Sequence, residues 1–111
     1  MITGAHAMIF TADETADRAF LRDVLEIPHI DSGGGWLIFK LPPAELGVHE
    51  GPNDMHKLYL MCSDIDAFVA TMAGKGVSTQ PIAEQGWGRS TGVTLPGGGT
   101  LGVYEPRHAR P

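Results

Sequence analysis

The chain has 111 residues, of which 42% are hydrophobic and 19% are charged, and its formal net charge is −5. This length suits one folded domain with a real core and excludes two independent cores. The negative charge, without any run of Lys or Arg, argues against nucleic-acid and membrane-surface partners. A single cysteine excludes an internal disulfide, and no apolar run reaches the ~20 residues that span a bilayer. We therefore expect a cytoplasmic protein whose partner is a small molecule.

The first half of the chain predicts a strand, a helix and further strands. Residues 2–10 alternate in a strand pattern that places His6 on one face. Asp13 is a good helix N-cap, and apolar residues then recur every three or four positions until Pro28 ends the helix. A glycine-rich loop precedes a strongly apolar strand over residues 36–41.

The second half predicts the same order of elements. Residues 55–62 form a predicted strand that begins with Met55 and His56. A Ser-Asp cap and an apolar stripe predict a helix over residues 65–74, which ends at a Gly-Lys-Gly sequence. The remaining predicted strands cover residues 77–82, 91–95 and 101–105.

A short phrase occurs twice in the chain, as LGVHE at residues 46–50 and as LGVYE at residues 101–105. Each copy follows a turn that contains proline and closes one half of the sequence, and each half begins with a strand that carries a histidine, His6 or His56. The two halves therefore have one plan. Because neither half can bury its sheet alone, we expect them to share one core.

The predicted fold is α+β, with two βαβββ modules in tandem within a single domain over residues 1–111. Module 1 covers residues 1–51 and module 2 covers residues 55–106, followed by a tail at residues 107–111. Each module is predicted to be a curved mixed sheet covered by a helix, and the two modules enclose a cleft. A dimeric ferredoxin-like barrel is a rival fold for this length, but the repeated phrase argues against it.

Five stretches carry a family resemblance: Gly4-Ala5-His6, the helix from Asp13 to Leu25, Met55-His56, Trp87-Gly88-Arg89, and residues 101–106 after their Pro-Gly turn. With them, nearly the whole chain resembles the vicinal oxygen chelate superfamily. This superfamily includes glyoxalase I, bleomycin and fosfomycin resistance proteins, extradiol dioxygenases and methylmalonyl-CoA epimerase. The resemblance implies a homodimer, and it leaves open whether the cleft forms within one chain or between two.

The resemblance also implies a metal site, because family members place a histidine on the first strand of each module, where His6 and His56 stand. The family's carboxylates on the closing strands are replaced here by Gly47 and Gly102. Since residues two apart share a strand face, His49 points to the same side as Gly47. His6, His49 and His56 are therefore the predicted ligands of one divalent ion, either Zn, Fe, Ni, Mn or Cu.

A ligand pocket is predicted from the large side chains near the same strands. Met8, Trp36, Trp87 and Tyr104 are expected to form its apolar wall. Arg89 is expected to contact an anionic group of the ligand.

Two functions follow from the resemblance. One is a metal-dependent lyase, isomerase or dioxygenase that acts on a substrate with adjacent oxygens, with the metal polarising a substrate oxygen. The other is a metal-free protein that binds or sequesters a small organic molecule such as a drug or antibiotic. The sequence identifies no catalytic side chain, and metal binding distinguishes the two hypotheses.

Overall fold

A computed structural model describes residue 1 and residues 3–111. The described part of the chain is α+β. Its elements are α1 (Glu14–Asp23), β1 (His29–Asp31), β2 (Leu37–Phe39), β3 (Tyr59–Met61), α2 (Ile65–Gly74), β4 (Ala83–Gln85), β5 (Gly88–Thr94) and β6 (Thr100–Pro106). Neither helix in these ranges has both the length and the apolar character needed to cross a bilayer.

Both helices begin at the predicted N-caps. The side chain of Asp13 accepts a hydrogen bond from the backbone N–H of Ala16 at 3.0 Å, and that of Asp64 accepts one from Ala67 at 3.0 Å. These bonds satisfy N–H groups that the first helical turn leaves without a partner. Gly76 follows α2 with a φ of 72°, a left-handed conformation that glycine adopts without strain.

The second half of the chain forms a four-stranded mixed sheet in the order β3-β6-β5-β4. β3 runs parallel to β6, and the other neighbours are antiparallel. The predicted strand over residues 77–82 is reduced to an isolated bridge between Thr79 and Val93. Pro81 explains this difference, because proline has no N–H to continue a ladder of hydrogen bonds.

The first half differs more strongly from its predicted plan. β1 and β2 pair as a two-stranded antiparallel sheet, while residues 3–13 and residues 40–58 contain no helix or strand. The predicted strands over residues 3–10 and 46–50 are therefore not paired within one chain, and residue 2 lies outside the described residues. The repeated plan is thus visible in full only in the second half, as β3-α2-β4-β5-β6.

The hydrophobic core joins the helix of the first half to the sheet of the second half. Phe20 of α1 belongs to the same buried cluster as Met72 of α2 and Val93 and Leu101 of the four-stranded sheet. Burial against this sheet stabilises α1 through its apolar stripe. The helix of the first half thus packs on the core of the second half.

A buried hydrogen bond fixes this arrangement. Asp17 of α1 is 5% exposed, and its Oδ1 accepts a hydrogen bond from the backbone N–H of Gly97 at 2.7 Å. Gly97 lies in the turn between β5 and β6, where an added Cβ would collide with the hydroxyl of Thr11. The glycine-rich turn therefore brings the hairpin into close contact with α1.

Candidate functional site

The central strand β6 presents different side chains to the two faces of the sheet. Leu101 and Val103 are buried, and Glu105 accepts a hydrogen bond from the first N–H of α2 at 3.3 Å. Because side chains alternate along a strand, Gly102 and Tyr104 point to the other side. We call this side, which faces away from α2, the open face.

A cavity of about 570 Å³ lies against the open face. It is lined by residues 8–10, by residues 56–59, by residues 99–102 and by Trp87, among others. The lining combines apolar and aromatic side chains with seven polar ones: His56, Lys57, Gln80, Gln85, Ser90, Thr91 and Thr100. Its volume lies in the range of small-molecule sites in proteins, roughly 300–1,000 Å³.

Three aromatic rings make edge-to-face contacts with one another, and two of them, Tyr59 and Trp87, line this cavity. The ring centroids of Trp87 and Tyr104 are 4.9 Å apart at an interplanar angle of 86°, and the ring of Tyr59 lies 5.9 Å from each of them. Tyr104 is buried, whereas Tyr59 and Trp87 are 41% and 40% exposed. Tyr104 therefore supports two rings whose surfaces remain available to a ligand.

Two glycines leave space beneath these rings. Gly92 of β5 lies directly opposite Gly102 of β6 in the antiparallel register. A Cβ added to Gly102 would overlap the ring of Tyr59, and one added to Gly92 would approach the side chain of Gln80 to 2.9 Å. The absence of a side chain at position 102 thus allows Tyr59 to lie against the sheet.

The hydroxyl of Tyr104 is held away from the cavity by the tail. It forms a 2.9 Å hydrogen bond with Nε2 of His108, while Nδ1 of His108 lies 2.9 Å from the carbonyl oxygen of Ala109. Since a carbonyl only accepts, Nδ1 donates, and the Nε2 of the neutral ring accepts from Tyr104. Burial, and secondarily the charge of Glu45, raise the pKa of Tyr104, so its hydroxyl remains protonated at neutral pH.

Arg89 lies on the face of β5 that is turned toward α2, not on the open face. Its guanidinium donates hydrogen bonds to Asp66 of α2 at 2.8 Å and to Glu84 of β4 at 3.0 Å. The bond from Arg89 lowers the pKa of Asp66. The strand period accounts for this placement, because Arg89 is two residues from Thr91, which is paired with the buried Val103. Arg89 thus ties α2 to the edge of the sheet, and its contact with an anionic group of a ligand stays a prediction.

The other predicted pocket residues are divided between two places. Met8 and Trp87 line the cavity, and Tyr104 packs against Trp87. Trp36 lies in the β1–β2 hairpin instead, with the guanidinium of Arg18 5.3 Å from its ring centroid. Trp36 is therefore a surface aromatic in a cation–π contact.

The described residues of one chain do not fit a metal ion. No three His, Cys, Asp or Glu side chains within residues 1 and 3–111 are grouped in a way that could hold one. His56 lines the cavity, whereas Nδ1 of His49 contacts the carbonyl oxygen of Glu50 at 2.6 Å and His6 lies in the exposed N-terminal segment. The site formed by His6, His49 and His56 stays a prediction that one chain does not assemble.

Tyr59 is the main site residue that the sequence analysis did not identify. In the predicted strand over residues 55–62, only His56 was assigned a role in the site. In the structure Leu58 and Leu60 pack against the core, which turns Tyr59 toward the open face. The alternation of Tyr59 with two leucines was the available signal.

Comparison with known proteins identifies the fold. No family model matches the sequence, and no curated protein sequence matches it. Solved structures do match it. TnmS3, an antibiotic binding protein from Streptomyces sp. CB03234, is 20% identical with a TM-score of 0.68, and the match covers 96% of this chain and 99% of that chain.

Two further matches have different described activities. A lactoylglutathione lyase from Agrobacterium tumefaciens is 15% identical with a TM-score of 0.69, covering 93% of this chain and 92% of that chain. A genomically encoded fosfomycin resistance protein from Listeria monocytogenes is 19% identical with a TM-score of 0.62, covering 95% and 92%. The chain therefore has the vicinal oxygen chelate fold of the glyoxalase and bleomycin resistance proteins. At these identities the likeness defines the fold and leaves the ligand open.

Proposed function

We propose that this protein binds a small organic molecule in the cleft on the open face, and that binding relies on aromatic contacts. One observation carries the proposal: Tyr59 and Trp87 expose ring surface beside a cavity of about 570 Å³, and the buried Tyr104 supports both rings. Aromatic side chains supply large contact areas at a low cost in conformational entropy. The antibiotic binding protein of the same fold supports this choice among the functions that the fold hosts.

Thermal denaturation in the presence of aromatic compounds tests the proposal. A ligand that binds only the folded state raises the melting temperature. We expect the shift to persist in Trp36→Ala and to disappear in Trp87→Ala. The two substitutions remove the same side chain from different places, so a shift that survives in both variants would contradict binding at this cleft.

The alternative function is a metal-dependent lyase, isomerase or dioxygenase acting on a substrate with adjacent oxygens. The presence of His56 at the same cavity favours it. This function would require further donor groups beside His56. Stabilisation by added zinc, nickel or iron that is lost in His56→Ala would support the metal-dependent alternative over a metal-free binding protein.

We also propose that the working form is a homodimer. The chain exposes 8073 Å² of accessible surface, whereas a compact monomer of this mass is expected to expose about 5,900 Å². Its radius of gyration is 14.8 Å, against about 13 Å for a compact domain of this length. An excess of about 2,200 Å² per chain is comparable to what obligate homodimers bury.

The two copies of the repeated phrase indicate where the partner binds. Leu101 and Val103 of the second copy are 2% and 1% exposed, whereas Leu46 and Val48 of the first copy are 89% and 94% exposed. Phe10, in the other segment without strand partners, is also exposed. We infer that a second copy covers residues 3–10 and 44–50, and that these segments then complete the βαβββ plan of module 1.

A further inference from the structure

The cavity differs in charge from the rest of the protein. The chain carries a net charge of −5 with 13 acidic residues, yet the described residues that line the cavity include Lys57 and no Asp or Glu. The cleft is thus a local positive site in an acidic protein, which favours an anionic ligand.

Lys57 has no internal partner that would neutralise it. In the described part of the chain, Arg22, Arg89, Arg107 and Arg110 all form ion pairs, and no ion pair involves Lys57. Lys57 is an exposed residue of the cavity lining, and its ammonium group can donate up to three hydrogen bonds. A carboxylate or a phenolate would be a charge-assisted acceptor for it.

The second element of recognition is the pair formed by Tyr59 and Gly102. Tyr59 lies where any side chain at position 102 would stand, and its ring meets that of Trp87 at 68°. The two exposed rings form a corner in which a flat ring can stack on one wall and direct its edge at the other. This geometry selects planar aromatic molecules over saturated ones, because only the former combine a π face with a positive edge.

These features lie close enough for one small molecule to contact them all. Lys57 and Tyr59 are two residues apart, so their backbones are separated by at most about 7 Å. Building on the proposed small-molecule function, we propose that the cleft takes a planar aromatic anion, with its ring in the corner of Tyr59 and Trp87 and its carboxylate or phenolate at Lys57. Tyr59 then selects for planarity and Lys57 for charge.

Calorimetric titration of the full-length protein with three matched probes tests this inference. The probes are 2-naphthoate, its neutral isostere 2-naphthamide, and decahydro-2-naphthoate, which keeps the charge and loses the planar rings. We expect 2-naphthoate to bind about fivefold or more tightly than either of the other two, a difference of about 1 kcal/mol. Its affinity should fall as salt is added, whereas that of 2-naphthamide should not.

Two substitutions separate the roles of the residues. Lys57→Ala should weaken the binding of 2-naphthoate about fivefold and leave the affinity for 2-naphthamide unchanged. Lys40→Ala makes the same charge change next to the β1–β2 hairpin and should alter neither affinity. Tyr59→Leu should weaken both aromatic probes. Circular dichroism spectra that match the parent protein would show that each variant is folded.

The outcomes distinguish this inference from the function on which it rests. Equal affinity for 2-naphthoate and 2-naphthamide, or an unchanged 2-naphthoate affinity in Lys57→Ala, would overturn the anionic ligand while small-molecule binding stands. Equal affinity for decahydro-2-naphthoate would overturn the selection for planarity. If 2-naphthoate does not bind, but a neutral aromatic compound binds and loses its affinity in Trp87→Ala, the inference fails and the proposed function survives. If no aromatic compound binds, both fail.

Discussion

On the open face, the role of Gly102 depends on the side chain that packs against it. Gly102 stands where the family resemblance implies a metal-binding carboxylate, and in the structure it also has a packing role. The space above it contains the ring of Tyr59. The glycine and the tyrosine therefore form one feature, in which the aromatic ring fills the space that a side chain at position 102 would occupy.

A substitution at this position tests the pairing. Gly102→Ala should destabilise the protein by roughly 1–3 kcal/mol, because the new methyl group overlaps the ring of Tyr59 and the buried sheet cannot move away easily. Chemical denaturation measures the loss. In Tyr59→Ala the same change should be nearly neutral, since the ring is gone. Equal losses in both backgrounds would show that the two positions are not coupled.

Tyr104 gives a prediction on pH dependence. Its pKa is raised above the ordinary value of 10.0, so the folded state holds this proton more tightly than the unfolded state. The resulting stability is present below pH 10 and is lost as pH rises through the folded-state pKa. Tyr59→Phe leaves Tyr104 as the only tyrosine, and its absorbance titration should have a midpoint above 10. A midpoint at or below that value would contradict the assignment.

Helices and strands could be predicted from the sequence where the interactions that define them join residues close in the chain. Both helices begin at the predicted caps because the capping bond joins residues three apart. β5 and β6 overlap the predicted strands over residues 91–95 and 101–105, and a short glycine-rich turn joins them as an antiparallel pair. The strands at residues 3–10 and 46–50 need partners that are distant or on another chain, and no local pattern reveals whether those partners are present.

The bond between Asp17 and Gly97 connects α1 to the β5–β6 turn, in addition to the packing of Phe20 in the core. Asp17→Ala should cost about 1–3 kcal/mol of stability, because the N–H of Gly97 loses its acceptor in a partly buried place. Asp13→Ala, which removes a cap of the same helix, should cost about 1 kcal/mol. Urea denaturation compares the two variants, and a smaller loss for Asp17→Ala than for Asp13→Ala would contradict this role.

Arg89 gives a second test of how the helices and strands are connected. Its partners are on α2 and β4, and both ion pairs are largely exposed to solvent. We expect Arg89→Ala to lower the melting temperature slightly and to leave the affinity for an aromatic ligand unchanged. A large loss of affinity without a loss of stability would instead support the predicted contact between Arg89 and the ligand.

At the scale of the whole molecule, the single chain is more open than its mass requires. Light scattering coupled to size-exclusion chromatography should give twice the mass of 11.8 kDa. The double substitution Leu46→Asp and Val48→Asp should give a monomer, because it places charges on apolar positions that a partner would bury. Ala70→Asp on the exposed side of α2 is the control and should remain dimeric. A monomeric parent protein at micromolar concentration would overturn the proposed assembly.

Tryptophan fluorescence tests most directly whether a small molecule binds at Trp87. The chain has two tryptophans, so Trp36→Phe makes Trp87 the only one, and Trp87→Phe makes Trp36 the only one. On addition of an aromatic ligand, we predict a saturable change in the fluorescence of the first variant and none in that of the second. Equal responses from both variants, or a response from Trp36 alone, would contradict the account.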